Sequence, residues 1–378
     1  MTGIFQSALS GGRALLVGWI LPSLVNVLIF GFVVAPKLSG FGALNTETTR
    51  AAIFGLAASA VLGLVLAALQ TPLYRILEGY LGWPMRLAQA RRRRHLARKH
   101  LLRNRVDAAT LARKEDAGRL TDADRPVLDA FRAHPIINRF LVKDLRKGTI
   151  WLALLDERFH RYPLDDRQVA PTQLGNAIRR FEEYGHDRYR LDSQTLWHEL
   201  NAAVPEPARK QTDDTRMSVD FFISLLYGHL VVAVTAAACL AGGLAERTGL
   251  TTATIAALIL LTMLWYRLAV QATDEWAGAV RAMVNLGRHP LAAAFGLSVP
   301  REMDDERTMW RLVGELVRDG HDPRLAALDA FRVTAEGQAV EPPAPSGDSV
   351  PAATPSDSGG PGADGQREAS GKLPHADA

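Results

Sequence analysis

The residues closest to a catalytic motif are His198 and Glu199, which stand in the order that a zinc peptidase uses for its first metal ligand and its general base. Such an enzyme needs a second histidine one helical turn later, because two imidazoles on one face hold the metal. Ala202 occupies that position, so the motif is incomplete. An enzyme built from other groups is an alternative, and it requires nearby carboxylates to converge in one cleft with His160, His186 and His198.

Other catalytic signatures do not occur in this sequence. The single cysteine, Cys239, cannot form an intrachain disulfide or a cysteine-based metal site. The chain contains no nucleophile elbow, dinucleotide fingerprint or calcium loop. The sequence therefore predicts no catalytic residue, no metal ligand and no cofactor.

The strongest charge feature is a run of side chains that attract phosphate groups. This basic cluster consists of Arg91, Arg92, Arg93, Arg94, Arg98 and Lys99. Anionic lipid headgroups attract such clusters by about 1 kcal/mol per basic residue close to a membrane. Nucleic acid would attract the same charges, but no recognisable nucleic-acid-binding motif surrounds them. We therefore expect the lipid bilayer and its anionic headgroups as partners, and no nucleic acid.

Four polar side chains lie in or beside apolar segments. Asn26 and His229 fall well inside such segments, where an uncompensated polar group is costly. They could line a polar path, or they could form hydrogen bonds with a neighbouring helix. Asp220 and Arg267 fall at the ends of apolar segments, and we expect them to pair and close the helix bundle.

Four apolar runs must position these side chains. The runs cover residues 14–35, 51–73, 221–245 and 250–270 and contain almost no charge. At about 1.5 Å rise per residue, a helix over each run crosses roughly the 30 Å of a hydrocarbon core. The sequence therefore predicts an all-α integral membrane protein with four transmembrane helices and a helical cytoplasmic insert between spans two and three.

The distribution of basic residues predicts how these helices are oriented. Residues 74–105 are rich in arginine and contain Glu78 as their single acidic residue, whereas the other two connections between spans carry few charges. Positively charged connections stay on the cytoplasmic side of a membrane. We therefore expect the insert and both chain termini to be cytoplasmic.

The chain is predicted to consist of five segments. They are a transmembrane hairpin (1–73), the insert (74–220), a second transmembrane hairpin (221–270), cytoplasmic C-terminal helices (271–333) and a tail (334–378). The tail is rich in proline, glycine, serine, alanine and aspartate, with no apolar period. Because it cannot bury enough apolar surface to fold, we expect it to be disordered.

A stripe of small residues on the second span predicts close helix packing. Gly55, Ser59 and Gly63 recur every four residues and so share one helical face. Small side chains let helix backbones approach closely in lipid. The contact could lie within one chain or between the subunits of a homo-oligomer.

The insert carries a motif that resembles one in a known group of proteins. It begins with Pro171-Thr172-Gln173-Leu174-Gly175-Asn176 and continues with Arg188-Tyr189 and Leu196-Trp197. This PTxLGN…RY…LW pattern resembles a family of uncharacterised four-span bacterial inner-membrane proteins. The resemblance implies a multi-pass protein of the bacterial inner (plasma) membrane with the same architecture, and it implies no activity.

The chemistry of the motif allows two interpretations. Its polar and packing residues are Thr172, Gly175, Asn176, Glu182, Tyr184, Arg188, Tyr189 and Trp197. Thr172 can cap a helix, Gly175 permits close packing, and Asn176 can bond to neighbouring backbone. The later residues could form a polar network beneath the membrane. The motif therefore serves either as a folding device or as a ligand or partner site.

The function predicted from these features is that of a multi-pass membrane protein without catalytic machinery. Such a protein would act by assembly, either as a scaffold or as a subunit of an oligomeric pore. A membrane-anchored enzyme that uses histidines and carboxylates of the insert is the alternative.

Overall fold

Helices account for all regular secondary structure in the described part of the chain. A computed structural model of the protein describes residues 12–37, 48–319 and 322–332. These ranges contain no β-strand, and one isolated bridge joins Leu297 to Arg332. The predicted all-α class is therefore confirmed for these residues. The predicted tail lies outside them.

Thirteen helices are numbered here in chain order within the described ranges. They are α1 (Gly12–Val34), α2 (Thr48–Ala68), α3 (Gln70–Glu78), α4 (Met85–Asp116), α5 (Arg125–Ala133), α6 (Pro135–Arg146), α7 (Gly148–His160), α8 (Gln173–Glu182), α9 (Tyr184–Tyr189), α10 (Trp197–Ala203), α11 (Glu206–Ala241), α12 (Thr248–Ala294) and α13 (Met303–Asp319). Helix α1 contains two π-helical turns, at Leu16–Ile20 and Phe30–Val34.

Several of these helices are long and apolar enough to cross a membrane. Helices α1, α11 and α12 qualify on their own, and α2 with α3 makes a fourth candidate if the bent pair is one span. Large apolar side chains on these helices point outwards, with Phe32, Phe54 and Leu260 exposed by 80%, 73% and 66%. Apolar surface of this kind is suited to lipid and unsuited to water.

The second apolar run is broken, where the sequence predicts one helix over 51–73. Helix α2 ends at Ala68 and α3 leaves it at an angle of 62°. The cause is Pro72, because a proline ring clashes with the carbonyl four residues earlier, which here belongs to Ala68. Leu69, between the two helices, has a non-helical backbone conformation.

The two longest helices form an antiparallel hairpin. Thr212 of α11 contacts the sulfur of Met283 of α12 at 3.8 Å. Farther along α11, Val232 packs with Leu258 of α12. As the residue number rises on one helix it falls on the other, so the helices run in opposite directions.

Helix α1 runs parallel to α11. A Cβ added at Gly18 would lie 3.3 Å from Cβ of Asp220, and Asn26 packs directly against Gly228. Helix α2 runs the opposite way, because Gly63 contacts Ile20 while the following α3 reaches Asp220. The four directions therefore alternate along the chain.

Helices α11 and α12 extend far beyond the predicted spans of 221–245 and 250–270. Helix α11 begins at Glu206 and α12 continues to Ala294. The extension of α12 enters a core made of two sequence regions that were predicted as separate segments, the insert and the C-terminal helices. The extension of α11 lies beside this core, where Thr212 contacts Met283. The most buried members of the core are Leu191, Leu196, Leu200, Met283, Leu291, Met309, Trp310 and Val313.

Helices α4 to α7 add a smaller core around Ala108 and Leu128. Beside it, Asp144 is buried and accepts hydrogen bonds of 2.8 Å from Nε of Arg105 and Nε1 of Trp151. Burial raises the pKa of Asp144, but these bonds outweigh it and hold the pKa below its ordinary value. This ion pair ties α4 to α6 and α7.

Candidate functional site

A basic pocket lies where α12 leaves the predicted membrane region. The cavity has a volume of about 410 Å³ and is bounded by α4, α7, α8 and α12. Four arginines line it, and none of the described residues in its wall is acidic. The lining is Arg98, Leu102, Arg158, Arg161, Tyr162, Gln173, Asn176, Arg267, Val270 and Gln271.

Only one of the four arginines has its charge neutralised. Nε of Arg161 donates to the carboxylate of Asp274 at 2.9 and 3.0 Å, and its Nη2 bonds to Asp274 and Glu157. The hydrogen bonds that Arg161 donates to Asp274 raise the pKa of Arg161, so it stays charged. The other three arginines have no carboxylate within 4.0 Å among the described residues, and all three are exposed: Arg98, Arg158 and Arg267.

The wall of the basic pocket includes Tyr162, which pairs with His95 outside the lining. His95 and the hydroxyl of Tyr162 form a hydrogen bond of 3.1 Å. Burial, helped by Arg98 and Arg91, lowers the pKa of His95, and burial raises the pKa of Tyr162. Both are therefore neutral at pH 7, and the positive charge of the pocket comes from its arginines.

The PTxLGN motif positions the α8 wall. Oγ1 of Thr172 accepts a hydrogen bond of 3.0 Å from the N–H of Gly175, which confirms the predicted helix cap. Asn176 is buried and pairs with both the N–H and the carbonyl of Ala170 at 2.9 Å. The amide of Asn176 is thus fully used in folding. Gln173, at the first position of α8, lines the cavity.

Two contacts attach α8 to α12 and to α3. The N–H of Leu174 donates to the hydroxyl of Tyr266 on α12 at 3.2 Å. Gly175 lies against α3, where an added Cβ would be 2.5 Å from the carbonyl oxygen of Glu78. The predicted close packing at Gly175 is confirmed by this distance.

The rest of the motif does not form one network. The hydroxyls of Tyr184 and Tyr189 both donate to Oδ1 of Asn285 on α12, at 3.2 and 3.0 Å. Arg188 lies over the ring of Tyr184. Glu182 faces a different cavity together with Trp197, and burial raises its pKa.

The predicted basic cluster is divided between surface and interior. Arg93 and Arg94 are exposed, as expected of a membrane-facing cluster. Lys99 is not a surface residue: its side chain is 6% exposed and donates to Oδ1 of Asp166 at 2.6 Å and to the carbonyl of Leu164 at 2.8 Å. The helical turn places Lys99 on the face of α4 that packs against this loop.

Two further arginines of the cluster also have partners within the protein. Nε of Arg92 donates to the carbonyl of Val169 at 3.0 Å. Arg91 lies over the ring of Trp83, 5.7 Å from its centroid. Arg98 is therefore the member of the cluster that reaches the basic pocket.

The predicted Asp220–Arg267 pair is wrong. Oδ1 of Asp220 accepts hydrogen bonds from the hydroxyl of Tyr74 at 2.7 Å and from Nε2 of Gln70 at 2.9 Å. The bend before α3 brings these two side chains to Asp220, while Arg267 lines the basic pocket instead.

Asn26 and His229 are both buried inside the helix bundle. Nδ2 of Asn26 donates to the carbonyl of Pro22 at 2.8 Å, within its own helix. His229 contacts the ring of Trp265 edge-on, with the centroids 5.9 Å apart. Oδ1 of Asn26 and Nδ1 of His229 find no hydrogen-bond partner in the described ranges. The interhelical hydrogen bonds considered from the sequence are thus not formed by these two atoms.

The small-residue stripe is used largely within the chain. A Cβ added at Gly63 would lie 2.8 Å from Cα of Ile20 on α1. Ser59 is buried and donates to the carbonyl of Gly55 at 2.6 Å. Gly55 itself has open space around it.

The histidines of the enzyme alternative are spread apart. Nδ1 of His160 lies 3.2 Å from Oδ1 of Asp156. His160 also lines a cavity whose lining does not include His186 or His198. His186 and His198 are exposed. In the part of the chain that the structure describes, no group of three or more His, Cys, Asp or Glu side chains could hold a metal ion.

The sequence identifies only part of the basic pocket. Arg98 and Arg267 are singled out by charge and by position, whereas Arg158, Arg161 and Gln271 carry no motif. These residues lie on helices that are distant in sequence, and no spacing rule connects them.

No family model, curated protein or solved structure matches this chain. The resemblance of the PTxLGN motif to four-span bacterial proteins stays a prediction.

Proposed function

We propose that the protein is a four-span protein of the bacterial inner membrane with its insert and both termini in the cytoplasm. The alternating helix directions support an even number of crossings. In this arrangement α2 crosses the membrane and α3 turns along its cytoplasmic surface. The exposed arginines of α4 then lie on the side where positive charge is retained.

We propose further that the protein is a non-catalytic scaffold that assembles with copies of itself. The observation that carries this proposal is that α11 and α12 continue unbroken beyond the apolar region. There α12 enters the core shared by the insert and the C-terminal helices, and α11 contacts that core through Thr212 and Met283. A cytoplasmic part joined by two unbroken helices cannot swing freely. It is suited to holding other subunits in a set geometry relative to the membrane.

The fourth span provides the surface for assembly. In the most apolar window of α12 only 17% of the residues are buried, compared with 50% in α11. Its outward face carries Ile259, Leu260, Met263 and Leu264. By contrast, Asn26 and His229 point into the bundle, which supports a scaffold over a pore that several subunits line with polar groups.

The test is the mass of the purified full-length protein in detergent, measured by light scattering and corrected for bound detergent. We expect one defined oligomer that is unchanged between two detergents of different chain length. A monomer in both detergents would contradict self-assembly.

A flux measurement separates the scaffold from the pore. The oligomer reconstituted into vesicles loaded with a potassium-sensitive dye should give no flux above protein-free vesicles. Flux that His229→Ala alters would replace the scaffold by a pore.

A further inference from the structure

The three unneutralised arginines of the basic pocket come from distant parts of the chain and surround one cavity. Arg98 lies on α4, Arg158 on α7 and Arg267 on α12. Like charges repel each other, so an anion bound among them would relieve this repulsion. Among the described residues, none that lines the cavity is acidic, so the basic pocket offers a binding site to an anionic ligand.

We propose that Arg98, Arg158 and Arg267 bind the phosphate group of an anionic phospholipid headgroup at the cytoplasmic membrane surface. Guanidinium groups form paired hydrogen bonds with phosphate oxygens, and several of them can share one phosphate. A cavity of about 410 Å³ accommodates such a group. Soluble phosphate compounds present the same chemistry, and the experiment below distinguishes them.

The position of the basic pocket favours a lipid as the source. Arg267 lies three residues before the end of the fourth apolar run, which is the depth at which headgroups meet a transmembrane helix. Leu102 and Val270 add apolar surface to the lining. A headgroup could enter from the bilayer while its acyl chains stay in the membrane.

Two amides and a helix end complete the site. Gln173 and Gln271 line the cavity. Their side-chain amides form no hydrogen bond with other described side chains or backbone, so the side-chain N–H groups are free to donate. Gln173 also stands at the N-terminus of α8, where the helix dipole favours negative charge. This inference rests on the proposed topology, because the opposite orientation would place the site at the outer leaflet. It does not rest on self-assembly.

The experiment is a titration of the purified full-length protein in a neutral detergent, followed by the midpoint of thermal unfolding (Tm). The probes are phosphatidylglycerol, phosphatidylcholine and inorganic phosphate, each at the same ionic strength. We expect phosphatidylglycerol to raise Tm by about 2 °C at tenfold excess over its Kd. Phosphatidylcholine should have a much smaller effect.

The decisive variant is R98Q/R267Q, and its matched control is R93Q/R94Q. Both remove two positive charges, but Arg93 and Arg94 are exposed on α4 and do not line the cavity. The first should weaken the apparent Kd for phosphatidylglycerol by at least about tenfold. The second should leave it within about twofold. Equal weakening in both would overturn the site in favour of diffuse attraction.

Further outcomes separate the remaining possibilities. Stabilisation by inorganic phosphate that R98Q/R267Q abolishes, with no preference for phosphatidylglycerol, would overturn the lipid and leave a soluble phosphate ligand. No stabilisation of the wild type by any probe would overturn the site. If R98Q/R267Q does not fold, R158Q serves as the test. Light scattering on the same samples reports self-assembly separately, so either proposal can fail alone.

Discussion

Gly175 shows how a single residue decides whether α8 of the insert can pack against α3. Its α-hydrogen faces the carbonyl oxygen of Glu78, and any Cβ would lie 2.5 Å from that oxygen and 2.9 Å from Cβ of Ala170. Real Cβ atoms do not approach backbone that closely, and a backbone carbonyl cannot move aside cheaply. The motif therefore requires glycine here for contact between α8 and α3.

The first prediction concerns this residue. Gly175→Ala should destabilise the protein by about 1–3 kcal/mol, because overpacking must displace α8 or α3. Thermal unfolding in neutral detergent measures the effect. Gly278→Ala is the matched control, since it is also helical and its Cβ would be 4.0 Å from the nearest side-chain atom. A Tm drop as large in the control would contradict the contact argument.

Single residues of the basic cluster show where prediction from sequence stops. Its composition is enough to predict attraction to anionic surfaces. Which of its members point outwards depends on where α4 meets the 164–169 loop, and this contact buries Lys99 while Arg93 and Arg94 stay exposed. Helical periodicity orders the side chains around α4 but does not say which face is covered.

At the scale of elements, the break between α2 and α3 has the largest effect. Pro72 ends α2 at Ala68, and the 62° bend carries Gln70 and Tyr74 across to α11. The carboxylate of Asp220 is thereby supplied with two hydrogen-bond donors. The sequence predicts a pair with Arg267 because both residues fall at the ends of apolar segments, and the bend replaces that cation by two neutral donors.

The second prediction tests this replacement. Tyr74→Phe removes one donor from the buried carboxylate of Asp220 and should destabilise the protein by about 1–3 kcal/mol. The comparison is Tyr80→Phe, because Tyr80 is close in sequence and its side chain is exposed. Equal Tm values for Tyr74→Phe and the wild type would show that Asp220 has another partner.

For the whole molecule, the main finding is that the predicted insert and C-terminal helices share one core. Leu196 and Leu200 of the insert pack with Met283 of α12 and Trp310 of α13. Sequence analysis separates these segments because the second transmembrane hairpin lies between them. The hairpin returns the chain to the side it left, so the two segments meet.

The third prediction tests this topology. In a Cys239→Ala background, cysteine introduced at Glu246 should react with an impermeant maleimide in intact cells. Cysteine introduced at Arg119, exposed beyond α4, should react only after the membrane is permeabilised. The reverse pattern would contradict the proposed orientation. Labelling of both sites in intact cells would contradict a cytoplasmic insert.

The sequence alone was sufficient for the features that depend on local pattern. Apolar runs of membrane length, the Thr172 cap and the helices of the insert follow from side-chain periodicity and capping chemistry, which act over a few residues. The break at Pro72 was accessible to the same reasoning, because the proline clash is local, although the long apolar run masked it.

Tertiary structure alone decided the partners of the charged groups. The basic pocket is lined by residues of α4, α7, α8 and α12. Asp220 bonds to Tyr74 and not to Arg267. In both cases the helix directions and one bend determine which side chains come into contact. Electrostatic attraction acts between any opposite charges within reach. Which charged side chains come close enough to interact depends on how segments distant in sequence pack together, and no local pattern in the sequence encodes that packing.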